Sequence, residues 1–375
     1  MPITATRKKM NKQKRIKDIG LVVNDIEETE SIKRLLRNEI GNETIEYISG
    51  FITFTESSTF FTSTTTRFNI EKLPSQKFTN IVNIQKINNI RWINKFFEAV
   101  NEKIPNGGYF IGTAETFQLR RKSLYKKYPV IINFFAVQLN FFLRRVFPKL
   151  PLLKKLYFFL TKGKGRGLSK AETLGRLVSC GFKIIEYKEV NNLLVFVTEK
   201  IKEPAYDLNP SYGPLFKMRR VGKNGKIIQV YKFRTMHPYS EYLQDYILKC
   251  NGYAENGKPA DDFRLTSWGK FLRRYWLDEL PQLINVLKGD MKLVGIRPLS
   301  KRFLQEYPED ILKMRLKQKP GCVPPYVAHL KQDVAEYIES ERRYLLDKKK
   351  HPYTTDIKIF FTASYNIITK KIRSS

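Results

Sequence analysis

Trp268-Gly-Lys-Phe-Leu-Arg-Arg-Tyr-Trp-Leu-Asp-Glu-Leu-Pro-Gln-Leu-Ile-Asn-Val-Leu-Lys-Gly-Asp-Met-Lys-Leu-Val-Gly-Ile-Arg-Pro-Leu299 decides how this chain is read. Leu280, Leu283, Ile284 and Leu287 recur at the spacing of one helix face, which predicts a stripe turned toward a core. Pro281 is tolerated only in a first turn, so the helix starts near Asp278 or Glu279, and Gly289 ends it. Asp278 is then the expected N-cap, a role worth about 1 kcal/mol without any chemistry. The surroundings permit more. Arg273 and Arg274 precede the two acids and Arg297 follows them. A carboxylate held ionised among arginines can attack phosphorus. Glu279 beside it suits a divalent ion, since Mg²⁺ prefers one or two carboxylates together with phosphate oxygens. Pro298 sets the chain direction just after Arg297, whose guanidinium can grip a phosphate in bidentate fashion. The plainer reading of Arg297 is an ion pair with Asp290 or Glu279.

Upstream, Leu215–Val221, Gly222-Lys-Asn-Gly225 and Lys226–Met236 read as a β-hairpin with a Gly-bounded turn. Alternation puts Lys232 and Arg234 on one face of its second strand, where two cations can hold a pyrophosphate or stand solvated at an edge. Residues 201–214 carry three prolines and a glycine, and are expected to form a linker.

Residues 1–45 are polar and weakly periodic, and a ragged or disordered segment is expected. Residues 46–68 look β-like and rich in Thr. Ile87, Ile90, Ile93, Phe96, Phe97 and Val100 predict a helix, followed by the turn Pro105-Asn-Gly-Gly108 and a strand from Tyr109 to Gly112. Ser169 is placed to cap a helix that ends at Cys180-Gly181, and strands 182–186 and 193–198 follow. This order resembles the second half of a class I methyltransferase fold. No Gly-rich loop for the adenosyl cofactor stands before Phe68, so 46–200 reads as a degenerate, Rossmann-like α/β region without methyl transfer.

A net charge of +32 calls for anionic company: phosphorylated substrates, an anionic membrane surface or nucleic acid. The aromatics cluster in apolar runs rather than between cations, and no nucleic-acid-binding motif is visible, so no nucleic-acid partner is expected. Three scattered cysteines argue against a disulfide framework or zinc site. The N-terminus lacks the apolar core of a signal peptide. No window offers about 20 clean apolar residues for a membrane span. Residues 128–160, rich in Phe and Tyr, broken by Pro148 and Pro151 and flanked by Lys and Arg, suit helices lying in a membrane interface. A buried helical hairpin is the alternative.

Gly213-Pro-Leu-Phe-Lys, Arg220-Val-Gly-Lys-Asn-Gly-Lys226, Tyr231-Lys-Phe-Arg-Thr-Met236, Arg264-Leu-Thr-Ser-Trp-Gly-Lys-Phe-Leu-Arg-Arg274, Leu277-Asp-Glu-Leu-Pro-Gln282, Asn285-Val-Leu-Lys-Gly-Asp290, Leu293-Val-Gly-Ile-Arg-Pro-Leu299 and Lys319-Pro-Gly321 stand in order. Together they resemble the bacterial sugar transferases, the monotopic polyprenyl-phosphate phosphoglycosyl transferases. The resemblance implies a mainly helical α+β catalytic domain over 215–375, with a β-hairpin. It implies transfer of a sugar-1-phosphate from a UDP-sugar to undecaprenyl phosphate, initiating exopolysaccharide, capsule or O-antigen assembly, at the cytoplasmic face of the bacterial inner membrane. Asp278 would be the nucleophile and Glu279 the Mg²⁺ ligand. Arg297 would bind phosphate, and Lys232, Arg234, Arg273, Arg274 and Pro298 would line the substrate. Self-association into a homo-oligomer stays open, and an inactive scaffold or a basic nucleic-acid- or membrane-binding protein is the alternative function.

Three features depart from that family. Its long apolar re-entrant helix before the Gly-Pro-Leu-Phe block is replaced by 182–198 and the linker. Cys322-Val-Pro-Pro-Tyr326 stands where Thr-Gly-Trp is usual. Glu341 precedes Tyr344 where Asp is commoner.

Overall fold

The computed structural model describes residues 21–22, 33–34, 36–54, 57–206, 212–252, 262–330, 333–369, 371–372 and 374. Most of 1–45, and residues 207–211 of the expected linker, lie outside them; residues 36–40 are helical. The chain forms two compact units. The first comprises 1–212 and 237–264, the second 213–236 and 265–375. The sequence reading placed a single crossing at 201–214. The structure adds an excursion, because His237–Arg264 packs with the first unit.

The first unit is built on six strands in the order β1-β2-β3-β4-β6-β5. They are β1 (Leu21–Val22), β2 (Thr59–Thr62), β3 (Asn80–Asn83), β4 (Tyr109–Ala114), β5 (Phe182–Val190) and β6 (Leu193–Lys200). β2, β3 and β4 run parallel, while β1 and β6 lie antiparallel to their neighbours. Alternation along each parallel strand splits the core. Phe60, Ile81 and Phe110 pack with the helices Ile93–Lys103 and Lys170–Ser179. Phe61, Val82 and Ile111 pack with Ile45 and Ile48 of the helix Asn42–Ser49. Parallel strands with both faces covered are apolar on both sides, as these are.

The expected cap at Ser169 is present, its hydroxyl accepting from the Glu172 amide at 3.1 Å. Asn191 and Asn192, both at positive φ, close the β5–β6 hairpin. The Thr-rich 46–68 run is strand only at Thr59–Thr62, and Asn42–Ser49 is helix instead. The helix expected from Ile87 begins as a 3₁₀ turn, Ile87–Asn89, before the α-helix Ile93–Lys103.

Within this unit Glu172 lies buried among cations. Arg176 is 2.9 Å from its carboxylate, Lys149 3.1 Å and Arg145 4.0 Å. Burial outweighs Glu172 at Lys149 and pulls that ammonium down to about 8. Arg145 also donates to Nδ1 of His237 at 2.8 Å. Burial first, then the Arg145 charge, brings the His237 imidazole down to about 3. The unfolded chain would protonate this ring near pH 6.5. Stability contributed by the neutral histidine is therefore present above that pH and is lost as pH falls toward 3. His237→Gln keeps an acceptor for Arg145. Its melting temperature is expected to fall less steeply than the parent's between pH 6.5 and 3, and parallel acid profiles would refute the assignment.

The helical stretch Val130–Lys149 is long and apolar enough, by length and composition alone, to cross a membrane. The sequence reading found no such window, because Arg144 and Arg145 interrupt it. Val130, Ile131, Phe134, Phe135 and Leu139 are all exposed, so the alternative of a buried hairpin fails.

The second unit opens with the expected hairpin, β7 (Leu215–Val221) and β8 (Ile227–Phe233), paired from Leu215↔Phe233 to Val221↔Ile227. A short parallel pair follows, β9 (Lys292–Val294) with β10 (Gly321–Val323). The contact is close enough that a Cβ on Gly321 would stand 2.1 Å from the Gly295 amide nitrogen. The helices Glu309–Leu316, Val334–Lys350 and Thr354–Ile368 surround a core of Trp276, Ile296, Tyr307, Ile311, Tyr326, Tyr337 and Tyr344.

Two expectations for this unit are corrected. Leu277–Gln282 is a 3₁₀ turn entered from Trp276 at φ 56°, and the α-helix proper is only Leu283–Leu287. Asp278 therefore sits inside the turn and is not an N-cap. The stripe Leu280, Leu283, Ile284, Leu287 does not face the core: all four are exposed, Leu287 at 89%. Gly289, at φ 75°, ends the helix as expected.

Candidate active site

Asp278 and Glu279 are held over the end of β8. Inward alternation along that strand buries Ile228, Val230 and Lys232. Asn285 clamps the short helix to it, accepting from the Tyr231 amide at 3.0 Å and donating to the Gln229 carbonyl at 2.7 Å. The clamp brings the Lys232 ammonium 2.7 Å from Glu279 Oε1 and 3.1 Å from Asp278 Oδ2. Gln282 donates to the other Glu279 oxygen.

Asp278 is fully buried. Its Oδ1 accepts the Ser374 hydroxyl at 2.6 Å, and the Ser374 amide donates to the Arg273 carbonyl at 3.1 Å. Its Oδ2 makes no hydrogen bond among the described residues and lies 3.1 Å from the Lys232 ammonium.

Arg297 follows β9, and its guanidinium is 3.8 Å from Glu279 Oε1 and 2.5 Å from the Tyr326 hydroxyl. Burial works against its charge. Tyr326, Glu279, Tyr337 and Asp278 more than offset that and push its pKa above the ordinary arginine value. Burial pushes the Tyr326 hydroxyl up to about 12 despite Arg297. Beneath Arg297 lies Glu341, fully buried. It accepts from the Arg297 amide at 3.2 Å and from the Tyr307 hydroxyl at 3.1 Å, and it pairs with Arg315, which also binds the Arg297 carbonyl. Lys232, Glu279 and Arg297 open on a cleft of about 420 Å³ whose walls also include Arg220, Pro298 and Tyr337, while Asp278 and Glu341 lie buried behind it.

The structure thus gathers Asp278, Glu279, Arg297, Lys232 and Pro298. It sends Arg234 elsewhere, to the Gly213 carbonyl at 3.0 Å and over the Phe216 ring. Arg273 turns to the Thr235 hydroxyl at 3.0 Å, and Arg274 is exposed. Sequence reasoning missed Arg220, Tyr326, Arg315 and Ser374 as parts of this site. Arg220 opens one of the quoted blocks and Tyr326 ends the Cys322–Tyr326 departure, but nothing in the local pattern marks Arg315 or Ser374. Glu341 was noticed only as a departure from a family pattern.

No group of three or more His, Cys, Asp or Glu gathers as a metal cage among the described residues. Two adjacent carboxylates, one with an oxygen that lacks a hydrogen bond, do fit an ion that takes its remaining ligands from phosphate and water, which is how Mg²⁺ is ordinarily held.

The arrangement combines paired carboxylates with the Lys232 and Arg297 cations beside an open cleft. Residues 203–370 match the model of the family described as bacterial sugar transferase. The galactosyl transferase CpsE of Streptococcus agalactiae is 40% identical over 129 residues, 34% of this chain and 28% of that protein. The undecaprenyl-phosphate galactose phosphotransferase of Salmonella typhimurium is 38% identical over 135 residues, 34% of this chain and 28% of that protein. The exopolysaccharide production protein ExoY of Sinorhizobium fredii is 35% identical over 122 residues, 31% of this chain and 54% of that protein. The chain thus spans roughly a quarter to a half of the length of these relatives.

Proposed function

We propose that the second unit transfers a sugar-1-phosphate from a UDP-sugar to undecaprenyl phosphate, through a covalent phosphosugar on Asp278. The observation that carries this reading is the Lys232 ammonium bridging Asp278 and Glu279, with Arg297 close by, at the rim of a cleft. Both substrates are anions, and cations aimed at phosphoryl oxygens stabilise the charge that develops there. An Asp278 oxygen attacks the sugar-proximal phosphorus. The bond from that phosphorus to the bridging oxygen breaks, and UMP leaves with that oxygen. An oxygen of undecaprenyl phosphate then attacks the same phosphorus and expels the Asp278 carboxylate, leaving a diphosphate-linked sugar.

Asp278 is closed off by Ser374, so on this reading the Ser374 hydroxyl yields when donor binds. Lys232 orients the carboxylates, and Arg297, fixed by Glu341 and Tyr326, grips a phosphate. Glu279 with Asp278 Oδ2 would hold Mg²⁺, which when bound neutralises phosphate charge. The exposed stripe Leu280, Leu283, Ile284 and Leu287 stands beside the two acids in the chain. A second stripe on the helix Thr354–Ile368 presents Ile357, Phe361, Tyr365 and Ile368. Apolar surface of this kind suits an acceptor delivered from a bilayer, at the cytoplasmic face of the bacterial inner membrane. One relative is named an exopolysaccharide production protein, which supports a role in initiating exopolysaccharide, capsule or O-antigen assembly.

The test is UMP release by the full chain in membranes, with Mg²⁺ and undecaprenyl phosphate, across UDP-glucose, UDP-galactose and UDP-N-acetylgalactosamine. Release from at least one donor, with the sugar appearing on the lipid, is expected. No release from any donor, in protein that still melts cooperatively, would refute the reading.

A further inference from the structure

From the structure we infer that the first unit carries its own membrane contact: the helices Val130–Phe141 and Pro151–Thr161 enter one leaflet of an anionic bilayer without crossing it. Three observations lead there, none of which depends on the chemistry proposed for Asp278.

The first is an exposed apolar face. Along Val130–Phe141 the side turned to the protein holds only Val137 and Asn133, whose amide donates to the Tyr125 carbonyl at 3.1 Å. The side turned outward holds Ile131, Phe134, Phe135 and Leu139. Phe159 and Leu160 are likewise exposed on the helix Pro151–Thr161, Phe159 at 81%. Water would favour the opposite arrangement, and a contiguous apolar surface of this kind marks an interaction site.

The second is length. Arg144 donates to the Gly165 carbonyl at 2.9 Å. Arg145 donates to Gly167 at 3.0 Å, and Lys149 to Glu172 at 3.1 Å. These bonds tie the C-terminal end of the stretch to the body of the unit. Of the stretch Val130–Lys149, only Val130–Leu143 is left to enter lipid. That is about 21 Å of helix against a hydrocarbon core of roughly 30 Å, too short to cross it, and the helix stays within the roughly 15 Å of one leaflet when it lies tilted toward the membrane plane.

The third is charge. Residues 117–171 contain fourteen Lys and Arg and no Asp or Glu. Arg121, Lys122, Lys126, Lys127, Lys154 and Lys155 of this segment are exposed, flanking the apolar face. A surface of that sign beside an apolar wedge is complementary to a leaflet of anionic phospholipid.

The experiment uses the full chain with Cys250→Ser and Cys322→Ser, Cys180 being buried, and spin labels placed by Val130→Cys, Phe135→Cys or Leu139→Cys. Collisions with oxygen and with a water-soluble nickel complex are read without vesicles, with phosphatidylcholine vesicles, and with phosphatidylcholine–phosphatidylglycerol vesicles. Labels at 135 and 139 are expected to lose nickel accessibility several-fold, and to gain oxygen accessibility, only with the anionic vesicles. Lys126→Glu with Lys127→Glu should weaken that insertion by roughly tenfold or more. The labels report on these helices alone, so membrane binding through the second unit cannot imitate the result. Unchanged nickel accessibility with anionic vesicles overturns the contact. Equal insertion into neutral vesicles overturns its charge selectivity. A label at 130 reached only from the vesicle lumen overturns the one-leaflet depth.

Discussion

Asp278→Asn is expected to reduce UMP release by about 10⁴-fold or more, equivalent to about 5.4 kcal/mol of barrier. The substitution keeps the shape of the side chain and an oxygen to accept the Ser374 hydroxyl, which binds Asp278 at 2.6 Å. Lys232 keeps Glu279 as its partner at 2.7 Å. The fold should therefore survive, and the loss isolates the nucleophile. Donor labelled in the sugar should remain on the denatured parent protein when acceptor is withheld, and should be absent from Asp278→Asn. Undiminished release by the variant would eliminate Asp278 as the attacking group.

Glu341→Ala is expected to lower stability by about 3–5 kcal/mol, because Arg315 would be left as a buried charge without its carboxylate. For a unit of this size the melting temperature should drop by on the order of 10 °C. Pairing Glu341→Leu with Arg315→Met removes both charges and should recover much of that stability. UMP release should nevertheless stay impaired in the double variant, since Glu341 and Arg315 also bind the Arg297 backbone. An unchanged melting temperature in Glu341→Ala would show that the pair does not support the unit. Normal release by the double variant would show that it does not position Arg297.

Much of the local structure was legible from residue order. The hairpin turn at Gly222–Gly225, the cap at Ser169 and the strand at Tyr109 each depend on neighbours a few positions apart, and all three form as expected. Asp278 as an N-cap failed for a related reason. Pro281 limits where a helix can run but does not choose between an α and a 3₁₀ turn. Trp276 at positive φ starts the tighter turn, and the side chain of Asp278 is left for Ser374 and Lys232 instead of the backbone.

The stripe Leu280–Leu287 shows a different limit. Periodicity reports that one helix face is apolar, but not whether protein or lipid covers it. The same ambiguity held for 128–160, where exposure at Phe135 and Phe159 decided against burial.

By itself, the order of residues set adjacent acids between arginines, within ordered blocks that resemble the bacterial sugar transferases. Spacing along one chain carries that information because those groups are neighbours in sequence. Only the tertiary structure selected which cations serve the acids. Lys232 arrives across the hairpin, Arg297 from beyond β9, and Arg234, Arg273 and Arg274 turn away. Only it showed Glu341, Arg315, Tyr326 and Ser374 closing around them, because charges in a buried site are paired by three-dimensional proximity and desolvation, which sequence separation does not encode.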